Sequence, residues 1–409
     1  MAPPPSGTAG LRSALTDLTP FQYRGAQSLP IWAFTGGFPD PAYFPAGPLM
    51  DCLAAAAGED VAILQYGSDL DESLRYGEAG LRRVLLRRLA GDLPRSATIA
   101  NVMLTNGGIG ALELACKAFL DPGEVVVVEA PTWPVALTMA RQHRAELQAV
   151  PVDAQGMRVE QLAEQADRLA AEGRRVKLVY TIPTFHTPTG TVLSVDRRRR
   201  LAELAARHDF IVLEDGTYEA LRYEGAEVPS VQSFDTHGRV LKIGSFSKTV
   251  APALRIGWIA GAADALTALA GVRTDLGVGQ WAARALALFL ERGCYDEHLP
   301  RLLAGYRRKR DVVRAALERE CAGLADWSVP QGGYYFWLKL RDPVDAAKAK
   351  RIALERGIAT RPGEQFFGVP QDGRQQLRVA FSQVPEDVIA DGIAALAGAL
   401  RASVLGARP

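Results

Sequence analysis

Lys248 is the residue whose surroundings are hardest to explain by packing alone. It lies in Ser245-Phe246-Ser247-Lys248-Thr249, just after the apolar run Val240–Ile243, and Arg255 follows seven residues on. Exclusion of water disfavours an ammonium group, so a lysine at the end of a buried strand can be a neutral amine near neutral pH. Such an amine attacks a carbonyl carbon and forms an imine. The hydroxyls of Ser245 and Ser247 and the guanidinium of Arg255 suit another task, gripping a phosphate. The segment therefore offers an imine-forming amine beside a phosphate clamp.

A fold must bury the base of that lysine and leave its tip in a cleft. The surrounding sequence alternates short apolar runs with helical stretches, the pattern of strands buried on both faces. Val125–Val128, Val176–Thr181, Phe210–Leu213 and Val240–Ile243 read as strands, with Ile109–Phe119 and Arg197–Arg207 as helices. A different texture begins near Gly279. Gln280–Glu291 and Leu299–Arg319 read as long amphipathic helices, Gly332–Leu340 and Gln376–Phe381 as strands, and Ile389–Leu400 as a terminal helix. Trp32–Pro48, dense in Gly and Pro, reads as a loop that serves a site. The prediction is an α/β fold: a large domain with a mostly parallel, mixed sheet flanked by helices, plus a smaller α+β domain. The boundaries fall at 1–60 (tail, arm and substrate loop), 61–290 (large domain) and 291–409 (small domain).

Composition narrows the function classes. The chain has 409 residues, of which 48% are hydrophobic, ample for a core, so wholesale disorder is excluded. Its 47 Lys and Arg against 46 Asp and Glu give a net +1, which argues against holding nucleic acid by phosphate neutralisation. The basic run Arg307-Arg308-Lys309-Arg310 reads either as a nucleic-acid patch or as a solvated helix face or subunit contact. No membrane span is expected: the apolar stretch Ile256–Val272 is broken by Asp264. The first 18 residues lack the apolar run of a signal peptide and read as a mobile tail. Four scattered cysteines without a CxxC pair suit a reducing compartment, and five histidines without ligand spacing offer no metal site. Cytoplasmic is the expected location.

An imine-forming lysine beside a phosphate clamp is what pyridoxal phosphate requires. The stretch SFSKTVAPALRIGWIAG resembles the cofactor-lysine segment of the fold-type-I pyridoxal-phosphate enzymes, class I/II aminotransferase family, and further matches recur in family order over about residues 30 to 400. The resemblance implies that Asp215 pairs with the pyridine nitrogen, where a carboxylate would keep the ring cationic; the plain alternative is a helix cap. Tyr218 matches the tyrosine that hydrogen-bonds the cofactor's phenolic oxygen, and Trp133 the aromatic ring stacked on the cofactor. Thr105-Asn106-Gly107-Gly108-Ile109 opens a helix whose amides would hold the phosphate. Gly108 and Ile109 stand where the family has polar side chains, so this anchor relies on backbone. In Phe185-His186-Thr187-Pro188-Thr189-Gly190, Thr187 replaces the family asparagine that donates to the phenolic oxygen. His186 beside it is either a general base, a substrate contact or structural.

By the same resemblance Arg378 binds the substrate α-carboxylate, and Gly36-Gly37 belong to the loop that closes over the amino acid. Tyr66 or Tyr76 reaches the phosphate of the neighbouring subunit, with Tyr76, before Gly77, the better fit. The aromatic run Tyr334-Tyr335-Phe336-Trp337 suggests an aromatic pocket, but strand alternation sends half those rings to the core, so none is assigned to substrate. The implied activity is an α-amino acid reacting with Lys248-bound pyridoxal phosphate through an external aldimine and a quinonoid, as an aminotransferase. The alternative is elimination, replacement or cyclisation, including chemistry on S-adenosylmethionine. A regulator would need an added DNA-binding domain, and a silent relative would not keep Lys248, Asp215, Tyr218, Arg255 and Arg378 together. A homodimer with shared sites is implied.

Overall fold

The computed structural model describes residues 30–404; the tail expected over residues 1–18 lies outside the described residues. Among the described residues the chain forms thirteen strands in two sheets. Strand β1 (Trp32–Phe34) comes first but belongs to a sheet completed near the other end of the chain. The larger sheet contains β2 (Val102–Asn106), β3 (Val125–Ala130), β4 (Glu146–Asp153), β5 (Gly156–Met157), β6 (Val176–Thr181), β7 (Ile211–Asp215), β8 (Val240–Ser245) and β9 (Ile256–Ala260). Their order is β2-β9-β8-β7-β6-β3-β4-β5. Strands β4, β3, β6, β7 and β8 are parallel neighbours. Strand β9 runs antiparallel to both β8 and β2, so β2 points the same way as the parallel set.

The β-branched runs explain this sheet. Along β3, Val125 and Val127 enter the apolar layer on one face, and Val126 and Val128 the layer on the other. Val212 and Leu213 of β7 divide the same way. Strands covered on both sides need apolar residues at consecutive positions, and helices such as Gly107–Phe119 and Val195–His208 supply the cover.

The smaller sheet joins β1 to β10 (Ala325–Asp326), β11 (Tyr335–Leu340), β12 (Ile358–Pro362) and β13 (Gln376–Ala380), in the order β1-β12-β13-β11-β10. It packs with helices Cys294–Glu320 and Ile389–Ala402 into a separate apolar cluster. Three sequence expectations need correction here. Residues 32–34, read as loop, pair in parallel with β12, Trp32 opposite Ile358. The helix read from Leu299 begins at Cys294 and runs through Pro300, with Asp296 and Glu297 in a first turn that favours acidic groups. The basic run is not a uniform solvated face. Lys309 is 1% exposed; its ammonium donates to Asp40 Oδ2 at 2.5 Å and to the Ser382 carbonyl at 2.9 Å. Arg310, equally buried, pairs with Glu224 and donates to the Pro330 carbonyl. Losing Asp40, the partner of the buried Lys309 ammonium, would cost about 3–5 kcal/mol, whereas the exposed Glu224 contributes less to Arg310. Half the run therefore ties elements together, with Lys309 fastening the loop that carries Asp40.

Candidate active site

Because β2 runs with the parallel strands, the ends of β2, β3, β6, β7 and β8 open on one edge of the sheet, where α/β folds bind ligands. A cavity of about 260 Å³ lies there, closed from above by the loop after β1 and by residues of β11, β12 and β13. It is lined by Gly37, Gly108, Ile109, Trp133, Thr187, Asp215, Tyr218, Ser245, Ser247, Lys248, Arg255 and Arg378. Every residue assigned to the site from the sequence is present except Tyr76. Tyr76 lies elsewhere, its hydroxyl 3.3 Å from Thr267 Oγ1 and its ring covered by the Arg82 guanidinium at 5.0 Å. Its place before Gly77 suggested the role, but the short helix Ser73–Tyr76 directs it against this chain's own surface.

One end of the cavity is built for an anion. Helix Gly107–Phe119 starts there and presents the Gly108 and Ile109 amides with the positive end of its dipole. Arg255 donates to the Asn106 carbonyl at 3.2 Å, so its guanidinium lies against the same helix start. Gly107 holds φ at +71°, a conformation L side chains rarely adopt, and a Cβ there would press within 2.9 Å of the Arg255 guanidinium. Ser245 donates to Ser247 Oγ at 3.0 Å and completes the polar wall.

The middle of the cavity holds the acid–base groups. Asp215, at the end of β7, accepts from the Thr217 amide at 2.9 Å and from the buried Tyr180 hydroxyl at 2.7 Å. Lys248 donates to the Gly37 carbonyl at 2.8 Å and lies 5.7 Å from the centre of the Tyr218 ring. Burial pushes the Lys248 amine down to about 8, helped by the Arg378 and Arg255 charges and opposed by Asp215. A large fraction of that lysine is therefore neutral at mildly alkaline pH. Burial raises the Tyr218 and Tyr180 hydroxyls well above the usual range, so both are proton donors near neutrality.

The far end is cationic. Arg378, on β13, is 6% exposed, donates to the Thr35 carbonyl at 2.5 Å and leaves its Nε without a hydrogen-bond partner among the described residues. It makes no ion pair among those residues either. Arg361 stands directly opposite on β12 and also donates to the Thr35 carbonyl, at 3.3 Å. Thr187 Oγ1, on the cavity wall, is a second buried polar atom with no partner among the described residues. Two orphaned groups in one cavity mark places where a ligand's polar atoms belong. The anion end, the indole of Trp133, the carboxylate and the amine fit the phosphate, ring, ring nitrogen and carbonyl carbon of pyridoxal phosphate, respectively.

Several lining residues were not singled out in the sequence. Tyr335, whose aromatic run was divided by alternation, is buried and faces the cavity together with Thr35, Thr217, Arg361 and Phe366. Tyr180 could have been found, as a polar ring inside a buried strand. His186 does not line the cavity. Its Nδ1 lies 2.8 Å from Thr189 Oγ1 and its Nε2 3.1 Å from Glu129 Oε2, which places it behind Thr187 as part of the wall's support. Glu129, which also accepts from Thr181 and the Ile182 amide, was legible as a lone carboxylate ending the run Val125–Val128.

A sheet edge that brings a buried lysine, a strand-end carboxylate and a helix start fit for an anion to one cavity is an arrangement that suits a fold-type-I pyridoxal-phosphate enzyme. Comparison with known proteins narrows this. Residues 64–396 match the family described as aminotransferase class I and II. The aromatic-amino-acid aminotransferase 1 of Thermococcus litoralis is 36% identical over 376 residues, 91% of this chain and 88% of the relative. The multiple substrate aminotransferase of Thermococcus profundus has the same fold with a TM-score of 0.87, at 33% identity and over 97% of each chain. The kynurenine aminotransferase of Pyrococcus horikoshii, solved in complex with PMP, gives 0.86, at 35% identity and over 93% of each chain. The chain belongs to the aminotransferase class I and II family and is a pyridoxal-phosphate-dependent enzyme acting on amino acids.

Proposed function

We propose that this aminotransferase moves the amino group of an apolar or aromatic α-amino acid to a 2-oxo acid, with the residue roles that follow. The observation carrying the reading is that Lys248, Asp215 and Arg378 line one cavity. Pyridoxal phosphate, when bound, supplies a carbonyl carbon that takes the amino group and a ring that accepts electrons from the substrate carbon. The Gly108 and Ile109 amides, Ser245, Ser247 and Arg255 hold its phosphate, and Trp133 stacks on its ring. Asp215 keeps a proton on the ring nitrogen. Tyr218 and Thr187 direct their hydroxyls to its phenolic oxygen. Arg378 grips the substrate carboxylate and so presents the α-hydrogen to Lys248. In its neutral form the Lys248 amine would serve as the base for that proton and, once protonated, as the acid that gives it up. Phe38 and Phe366, on the cavity wall, would lie beside the substrate side chain.

Incubating the purified protein with a panel of amino acids tests this reading. Accumulated pyridoxamine phosphate and the matching 2-oxo acid, greatest with aromatic and large apolar amino acids, are expected. Release of a leaving group without pyridoxamine phosphate would point to elimination instead. Arg378→Lys is expected to raise KM for the amino acid roughly 10- to 100-fold, because a bidentate, charge-assisted contact becomes a single one. A KM within twofold of the native value, measured at saturating cofactor, would remove Arg378 from the carboxylate site.

A homodimer belongs to the same proposal. Met50, Val61, Leu64 and Leu70, within 21 residues of one another along the chain, expose large apolar side chains that a partner subunit would cover. Tyr66, 70% exposed in that stretch, replaces Tyr76 as the side chain that reaches the partner's phosphate. Light scattering should give twice the chain mass, and Leu64→Asp should yield monomer with weakened cofactor retention. A native monomer with full activity would refute the shared site. The two sheets and their apolar clusters support a large and a small domain dividing near residue 290; of the first segment (1–60), β1 joins the smaller sheet while helix Ala46–Glu59 packs on the larger domain. The four cysteines are free, which suits a cytoplasmic enzyme.

A further inference from the structure

Tyr335 serves two partners with different parts of its side chain. Its ring carries the Arg378 guanidinium, 4.2 Å from the centroid. Its hydroxyl lies 2.5 Å from the Tyr218 hydroxyl, the two rings meeting edge-on at 5.5 Å. Both tyrosines are buried, so bulk water does not compete for that hydrogen bond. Gly37 closes the remaining side: a Cβ there would lie 1.8 Å from the Tyr335 hydroxyl oxygen and 2.9 Å from that of Tyr218. The pair is therefore held between a strand, a glycine and a guanidinium.

Two hydroxyls that share one hydrogen bond place one proton between them and leave one to point elsewhere. If Tyr335 donates, the Tyr218 proton is the one left over, and it can point into the cavity. Donation into the Tyr218 oxygen also polarises its O–H and makes it a stronger donor. If Tyr218 donated instead, its only proton would be turned away from the cavity. An acceptor oxygen in the cavity selects the first arrangement.

We propose that Tyr335 is a positioning residue that couples the two ends of the site: its ring fixes the carboxylate-binding Arg378, and its hydroxyl sets the direction and strength of the Tyr218 proton. This rests on the roles proposed above for Arg378 and Tyr218. Loss of the hydroxyl and loss of the ring then have separable effects.

The test is a spectrophotometric pH titration of the cofactor-loaded protein, read beside KM for the amino acid. A donor to the cofactor's phenolic oxygen favours the state that has lost the shared proton, so weakening that donor raises the midpoint of the visible band. Tyr335→Phe should raise the midpoint by roughly half to one pH unit while KM stays within about twofold. Tyr335→Leu should raise the midpoint similarly and also raise KM roughly 5- to 30-fold, as the ring beneath Arg378 is lost. In a Tyr218→Phe background, Tyr335→Phe should shift the midpoint no further. An unchanged midpoint in Tyr335→Phe, or the same shift with and without the Tyr218 hydroxyl, overturns the coupling. If Tyr218→Phe leaves the midpoint alone and Arg378→Lys leaves KM alone, the underlying roles fall instead.

Discussion

Replacing Lys248 by alanine is expected to lower kcat by about 10⁴-fold or more, since one group both bonds the cofactor and moves the proton. The phosphate cradle and Trp133 are untouched by the change, so the variant should still take up cofactor, though less tightly. Its visible band should be insensitive to borohydride, because no lysine is available to form a reducible bond. Turnover within tenfold of native would remove Lys248 from its role. The same residue gives a pH signature in the cofactor-free protein. Its amine is held down to about 8 in the folded chain, against an ordinary value of about 10.4 when unfolded. Below pH 8 both states carry the proton, and the folded state bears the whole cost of a buried ammonium. Between pH 8 and the ordinary value the unfolded chain binds more protons, so this cost fades as pH rises. Cofactor-free Lys248→Met should thus melt higher than native at pH 7, and the gap should close toward pH 10. A gap that widens with pH would contradict the assigned direction.

Asp215→Asn is expected to cost roughly 10²- to 10³-fold in kcat with little change in folding. The carboxylate is anchored by the Thr217 amide and the Tyr180 hydroxyl, and asparagine can keep the first of these. What it cannot supply is the negative charge that keeps a proton on the ring nitrogen. A cofactor analogue methylated at that nitrogen carries its charge permanently and should restore much of the lost rate. Failure of the analogue to rescue a slow variant would assign Asp215 a purely structural task.

The parts of this site that were legible in the sequence are those written locally. Asp215 ends, and Lys248 closely follows, a strand whose apolar run is visible by itself, so strand and candidate residue announce one another. Residues that act through distant pairing were not legible. The partner of Trp32–Phe34 is β12, and no neighbouring residue indicates it. Lys309 and Arg310 looked solvated because charge normally is; their burial depends on Asp40 and Glu224, brought close only by the fold. Tyr335 obeyed strand alternation and still reached the site, because the smaller sheet turns that face toward the cavity rather than into its own core. Tyr76 was read for a neighbouring subunit's site, and within its own chain it lies away from the cavity, against Thr267 and Arg82.

The loop after β1 already occupies the hands of the two most important cations. The Gly37 carbonyl accepts from Lys248, and the Thr35 carbonyl from Arg378. The loop is itself pinned: Ser382 donates to the Phe38 carbonyl, and Lys309 holds Asp40. Carboxylate binding at Arg378 would therefore be an exchange, in which the substrate takes over a hydrogen bond that the protein has been making to its own Thr35 carbonyl. The net gain per contact is the difference between two acceptors, far less than a contact made from nothing. The Thr35 carbonyl stands ready to reclaim the Arg378 donor when a carboxylate leaves, which would favour product release.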